Sequence, residues 1–187
     1  MKTVALVLAS LLLVPPLARA QAPVGPGSIE LGKIAPEVVK TPEFQLSSGP
    51  TKRTGRSLSW LEIEVSYETK AETIDELTFK FIAQIEKQLI TGEVTYVNIS
   101  KGRDHFAVMY VSPKGLDKLT KGKPLTGASI ENAWVEVSRQ GQVLAKAGWK
   151  NTPVPNAPQT AGLLLSKNQT PFAPLFYDRY EEIKATR

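Results

Sequence analysis

The chain has 187 residues, 42% hydrophobic and 22% charged, with a formal net charge of +5, no Cys and one His. That length serves one domain with tails, and the hydrophobic fraction is that of a globular chain. The missing Cys excludes disulfide scaffolds, Cys-based metal sites, thiol nucleophiles and a lipid anchor on Cys, and a single His excludes a multi-His metal centre within one chain.

Lys2 precedes an apolar run from Val4 to Val14 that only Ser10 interrupts; Pro15 and Pro16 end it, and Ala18-Arg19-Ala20 puts small residues where a signal peptidase reads. The pattern predicts a signal peptide over residues 1–20, cleaved after Ala20. The run is too short to span the roughly 30 Å of a bilayer's hydrocarbon, and no later stretch is long and apolar enough to cross one. Without Lys2 and Arg19 the chain keeps 21 basic against 18 acidic residues, a net +3. Export without Cys points to the periplasm or outer surface of a bacterial envelope.

Proline maps the organisation. Five prolines fall in 21–50 and five in 151–187, but only Pro113 and Pro124 lie between. Proline cannot donate to a sheet ladder, so the folded body is expected over 51–150. An extended Pro-rich segment (21–50) precedes it, and an arm (151–187) follows that packs on the domain or on a partner.

Phe44-Gln45-Leu46 reads as a short edge strand. Leu61 to Glu68 alternates apolar and polar residues without a fault, which is a strand with one wet face; Glu62, Glu64 and Glu68 are expected to be solvated. Thr73 to Gln88 fits two readings. Thr73 and Glu76 form a capping box ahead of a helical repeat, whereas Leu77, Phe79, Phe81, Ala83 and Ile85 share one face of a strand. The strand is preferred for its β-rich composition and strand neighbours. Glu93 to Ile99 is β-branched and aromatic, and Phe106 to Val111 is apolar on both faces, hence a central strand. Ser112-Pro113 starts a helical turn carrying Leu116 and Leu119. Ala133–Val137 and Val143–Ala147 flank Arg139-Gln140-Gly141-Gln142, a tight hairpin.

About seven short antiparallel strands make an all-β sandwich of the immunoglobulin or fibronectin type III kind, with an open barrel as the alternative. Trp60, Trp134 and Trp149 are available to fill a core that lacks a disulfide.

Catalytic motifs are missing. There is no nucleophile elbow, no Ser-x-x-Lys pair and no phosphate loop, so no catalytic, cofactor or metal residue is assigned. A triad would have to use His105 beside Asp104. The basic clusters Lys52-Arg53-Thr54-Gly55-Arg56 and Lys114, Lys118, Lys121, Lys123 lack interleaved aromatics and read as solvated loops, with no nucleic-acid partner implied. The C-terminal arm is the unusual stretch: Phe172, Leu175, Phe176, Tyr177, Arg179 and Tyr180 lie between and after Pro171 and Pro174, too apolar for a free tail and of the types that anchor interfaces.

Ser59 to Val65, the hairpin Trp134–Val137 to Val143–Ala145, and the arm Thr170 to Glu181 together resemble a family of small exported proteins of Verrucomicrobia and Planctomycetes. The resemblance spans residues 57–187. It implies an immunoglobulin- or fibronectin-like fold and no catalytic residues. It also implies a place in the cell envelope, since one member is encoded with type IV pilus-like assembly genes in a mucin-degrading gut bacterium. The expected function is therefore a non-enzymatic exported module that makes protein–protein contacts, in a pilus-like assembly or as a homo-oligomer. A glycan- or mucin-binding adhesin using surface Trp is the alternative, and a carboxylate glycan hydrolase is a third class.

Overall fold

The computed structural model describes residues 24–44, 58–176 and 178–185. The expected signal peptide, Gln45 and Leu46, Lys52, Arg53 and Arg56, and Tyr177 lie outside them. The protein is all-β and mostly antiparallel, with eight strands and one α-helix among the described residues. They are β1 (Ile29–Lys40), β2 (Ser59–Ile85), β3 (Gln88–Val111), β4 (Ile130–Arg139), β5 (Gln142–Gly148), β6 (Gln159–Ala161), β7 (Leu164–Ser166) and β8 (Glu182–Ile183). Helix α1 (Pro113–Thr120) follows β3; Ser112 caps it by accepting from the Gly115 amide, and Pro113 opens its first turn.

The scaffold is the β2–β3 hairpin, strands of 27 and 24 residues. β3 runs along one edge of β2 for its whole length. The other edge of β2 takes β1 in its first half and β4, followed by β5, in its second. Thr73–Ile85 is strand, as its Leu77-to-Ile85 face requires: all five of those side chains are fully buried.

A straight β2 would hold Tyr67 and Phe79 about 40 Å apart, at the usual rise per residue. Their ring centroids are 4.9 Å apart. The strand therefore folds back on itself, and register shifts between Tyr67 and Thr73 mark the bend. The same return brings the Tyr96 hydroxyl, on the first half of β3, within 3.0 Å of the Val108 amide on its second half, where it accepts a hydrogen bond. One continuous sheet thus makes both layers of a sandwich-like body. A single apolar cluster joins Leu61, Ile63, Val65 and Tyr67 to Phe79, Phe81, Tyr96, Val135 and Leu144.

Four details differ from the sequence expectations. Glu93–Ile99 and Phe106–Val111 belong to one strand, because Asn98 takes a φ of +58° and switches the inward face of β3 from even positions (Ile90, Val94, Tyr96) to odd ones (Ile99, Ala107, Met109). The body also begins before residue 51. β1 pairs with β2 despite Pro36, since an edge strand needs only one of its two sides bonded. Phe44 lies outside any strand and is exposed. The three Trp split: Trp60 and Trp134 are buried in small satellite clusters outside the main core, and Trp149 is exposed.

Phe79 sits where the two layers meet, tilted on Tyr67 and edge-on to Tyr96 at 5.8 Å. Phe79→Ala is expected to cost about 3–5 kcal/mol, read as a lower denaturant midpoint with an unchanged slope.

Candidate functional site

The bend leaves one outer face of the β2–β3 pair carrying Trp60, Glu62 and Glu64 from β2 and Phe106, Val108 and Tyr110 from β3, because side chains alternate along both strands. Most of that set is apolar or aromatic, so the face needs a cover, and the C-terminal arm supplies it. Phe172 wedges between Trp60, edge-on at 5.6 Å, and Tyr110, stacked at 4.6 Å with 5° between planes. Val39, Leu165, Leu175 and Tyr180 close the cluster. The indole N–H of Trp60 donates to Thr41 Oγ1 at 3.1 Å, which fixes the floor of this socket.

Glu64 is the polar anchor. Arg179 donates to both its oxygens, Nε to Oε2 at 3.0 Å and Nη2 to Oε1 at 2.8 Å, in the planar fork that suits a carboxylate. The Tyr180 hydroxyl donates to Oε2 at 2.6 Å, and the Arg179 guanidinium lies 3.6 Å above the Phe106 ring. Further along, the arm turns over the edge of β3. Glu181 Oε1 lies 2.9 Å from His105 Nδ1, β8 pairs with Tyr96 and Val97, the Lys184 amide donates to the Thr95 carbonyl at 2.8 Å, and the Lys184 ammonium pairs with Glu76.

The expectation of a solvated Glu62–Glu64 face is thus corrected: the arm lies over Glu64, since a bidentate cation with an adjacent hydroxyl satisfies the carboxylate better than an open surface with apolar neighbours would. Two residues apart on one strand, the two acids respond in opposite directions. Burial pushes the Glu64 carboxyl up, but the hydrogen bonds from Arg179 and Tyr180 and the Arg179 charge outweigh it and hold the group below its ordinary value. Burial also pushes Glu62 up; the Tyr110 hydroxyl opposes this, while the nearby Glu64 and Glu37 charges add to it, and Glu62 ends above its ordinary value.

Of the six arm residues singled out in the sequence, Phe172 is buried on its own domain, Tyr180 and Arg179 clasp Glu64, Leu175 is half-buried beside them, and Phe176 points out with 64% exposure. Tyr177 lies outside the described residues. Tyr110, Glu181 and Lys167 complete the clasp and were not singled out, and Glu64 was read only as a solvated strand residue. Lys167 is buried, its ammonium donating to the Ala173 carbonyl at 2.8 Å and lying over the Tyr180 ring, and burial lowers its pKa. A signal for this face was present: Val108 and Tyr110 are apolar on the side of β3 away from the core, which requires a lid.

His105 and Asp104 do not work together. Asp104 is exposed, whereas His105 is sealed against Tyr67 at 5.2 Å with Nε2 buried and unpartnered, out of reach of any substrate. Lys114, Lys118, Lys121 and Lys123 are at the surface, as expected. A separate groove of about 450 Å³ lies between β3 and the arm, lined by Glu93, Thr95, Ser166, Gln169, Ile183 and Lys184 among others. Among the described residues, no group of three or more His, Asp or Glu is placed to hold a metal ion, and no helix is long and apolar enough to cross a membrane.

A family model matches residues 20–187. The chain belongs to that family. It is also similar to a protein from Akkermansia muciniphila whose crystal structure superposes with a TM-score of 0.72 at 24% identity, covering 85% of this chain and 94% of that one. At that identity the likeness establishes the shared fold. No curated protein matches.

The opposite shifts of the two acids set a pH signature. Stabilisation from Glu64 is present above its unfolded value near 4.5 and is lost as pH falls through its depressed folded value. Glu62 carries the reverse sign: it opposes folding while ionised, and that cost disappears as pH falls below its unfolded value. Glu64→Gln is expected to loosen the arm at neutral pH and flatten the acid limb of a stability–pH curve. Glu62→Gln is expected to be neutral or stabilising at neutral pH. Chemical denaturation of both variants between pH 3 and 7 checks the pair.

Proposed function

We propose that the protein is an exported, non-catalytic envelope module that works by binding other proteins, in a pilus-like assembly. The observation that carries this reading is where its wet apolar surface lies. Of the seven large hydrophobic side chains exposed among the described residues, four, Val38 (43% exposed), Phe44 (52%), Leu58 (49%) and Phe176 (64%), belong to the end of β1 and its continuation, the residue before β2 and the arm tip, whereas Val143, Trp149 and Val154 lie apart on β5 and the segment after it. The segments that carry the four adjoin Trp60: Val39 is its register partner, Thr41 takes its indole hydrogen bond, and Leu175 packs in its cluster. Large apolar side chains gathered at one end of a domain serve protein contacts better than they serve solubility. Among the described residues, no strand pairs with the outer edges of β1 and β5, and such edges offer additional backbone pairing.

Export is supported by the charge, apolar-run and small-residue pattern of residues 1–20 and by a family match that starts at residue 20. The immunoglobulin-like kinship and the pilus-like setting come from the resemblance to the exported family. The absence of catalysis is favoured by the state of the acids: Glu62 and Glu64 lie on the face the arm clasps, and Glu93 is the one acid on the 450 Å³ groove. Glycoside cleavage needs two carboxyl groups flanking an accessible bond.

A second reading, glycan binding, rests on Trp149. It is 39% exposed, with the Lys150 ammonium 4.7 Å from its ring centroid, and an exposed indole is a stacking platform for a sugar face.

A photo-crosslinking side chain placed at position 58, 176 or 143 in producing cells separates these possibilities. Adducts with an envelope protein are expected from 58 and 176 and not from 143 on the β4–β5 hairpin; no adducts, or equal adducts from all three, contradict the reading. N-terminal sequencing of the exported chain is expected to begin at Gln21.

A further inference from the structure

We propose that the C-terminal arm, residues 164–185, is exchangeable between copies, each arm of a pair seating on the other copy's Trp60–Tyr110 socket. This rests on the protein-binding reading above and names a second copy of the chain as the partner of that same face.

The arm is a preassembled piece. Buried Lys167 donates to the Ala173 carbonyl and lies over the Tyr180 ring; Thr170 Oγ1 donates to the Lys167 carbonyl at 2.7 Å; the Ser166 amide donates to Gln169 Oε1 at 3.0 Å. All of these bonds travel with the arm. What ties it to the body is a separate set: the β7 and β8 pairings, Phe172 in its slot, Arg179 and Tyr180 on Glu64, Glu181 on His105 and Lys184 on Glu76.

The tether has the makings of a hinge. Buried Asn132 fixes its start, accepting from the Lys150 amide at 2.8 Å and donating to the Lys150 carbonyl and to Thr152 Oγ1. From Pro153 to Pro158 every residue but Pro155 is exposed, and the backbone is drawn in by a three-residue turn in which the Ala157 amide donates to the Pro155 carbonyl. Only the three-residue β6 intervenes before the arm. Pro153, Pro155 and Pro158 stiffen the stretch toward extended geometry. Straightened, residues 153–162 reach about 30 Å.

Recognition is already encoded. A body that presents Glu64, Glu76 and His105 around an aromatic slot, with an arm that presents Arg179, Lys184, Glu181 and Phe172, meets the same complement in any other copy. That is the condition for a closed two-fold exchange.

Charge reversal tests this with the full exported chain, read by light scattering. Glu64→Arg alone and Arg179→Glu alone each put like charges in every socket, in cis and between identical copies. Mixed one to one, both sockets of an exchanged pair become complementary. In one the introduced arginine of the first variant faces the introduced glutamate of the second, and in the other the native Glu64 faces the native Arg179. The mixture is expected to show a species of twice the monomer mass that neither variant forms alone. A mixture that stays monomeric, or variants that dimerise as well alone as together, overturns the proposal. Deleting residues 154–158 keeps it testable if the charge variants do not fold: the tether loses about 16 Å of reach, which disfavours return of the arm to its own socket, so a dimer is expected and a folded monomer contradicts. No envelope protein is present in either measurement, so the two failures are distinguishable: the crosslinking pattern at 58, 176 and 143 in producing cells decides the binding reading, and a monomeric mixture overturns exchange alone.

Discussion

The contact between Tyr67 and Phe79, two rings on one strand, is the constraint on which the rest depends. It exists only because β2 folds back over itself between Tyr67 and Thr73, and β3 must follow because it pairs with β2 on both sides of the bend. Folding a long hairpin across its own middle gives two layers without a second sheet and buries a single continuous inner face. It also fixes what lies outside. The second half of β3 must turn one set of apolar side chains inward (Ala107, Met109, Val111) and another outward (Val108, Tyr110), and both sets are buried. The outward set packs with Trp60 and Val39, and the C-terminal arm covers it.

The arm meets that requirement with chemistry that an apolar cover alone would not provide. Phe172 fills the aromatic slot, but Glu64 lies in the same face, and a carboxylate there is costly unless it is paired. Arg179 and Tyr180 satisfy it. Glu62, two residues away and without the Arg179 and Tyr180 hydrogen bonds, is raised rather than lowered. A face that needs a particular cation and a particular ring selects the segment that can cover it, which is why the clasp bears on binding as well as on stability. Close approach is built in as well: a Cβ on Gly92 would lie 2.6 Å from the Leu164 Cβ, so β7 can sit against β3 only where that side chain is missing.

Much of this was legible in the sequence, for identifiable reasons. Period-two alternation located β2, because its inner residues are apolar at every second position over both halves. Gln140-Gly141 announced the β4–β5 turn, and both residues adopt positive φ there. Ser112-Pro113 announced α1. The fusion of two expected strands into β3 was hidden, because Asn98 shifts the alternation by one and imitates a break. The β2–β3 turn was hidden too: Glu86 and Lys87 carry positive φ without Gly or Asn, and Glu131, distant in sequence, braces them by accepting from the Lys87 amide and the Gln84 side chain. In the clasp, the apolar and aromatic residues of the arm marked it as unusual, but the same residues suit a cover on self and an interface with another molecule. The choice is made by Glu64 and Tyr110, residues whose own neighbourhood reads as an ordinary strand.

Amide hydrogen exchange on the exported chain tests the account most directly, since it reports strand and arm in one experiment. A hairpin folded over its middle and clasped from outside predicts slow exchange on both halves of β2 and β3 together, with the Lys184 amide, bonded to the Thr95 carbonyl, protected well above random-coil rates. Two halves of β2 that exchange independently, or arm amides as fast as those of an unfolded chain beside a protected sheet, would contradict it.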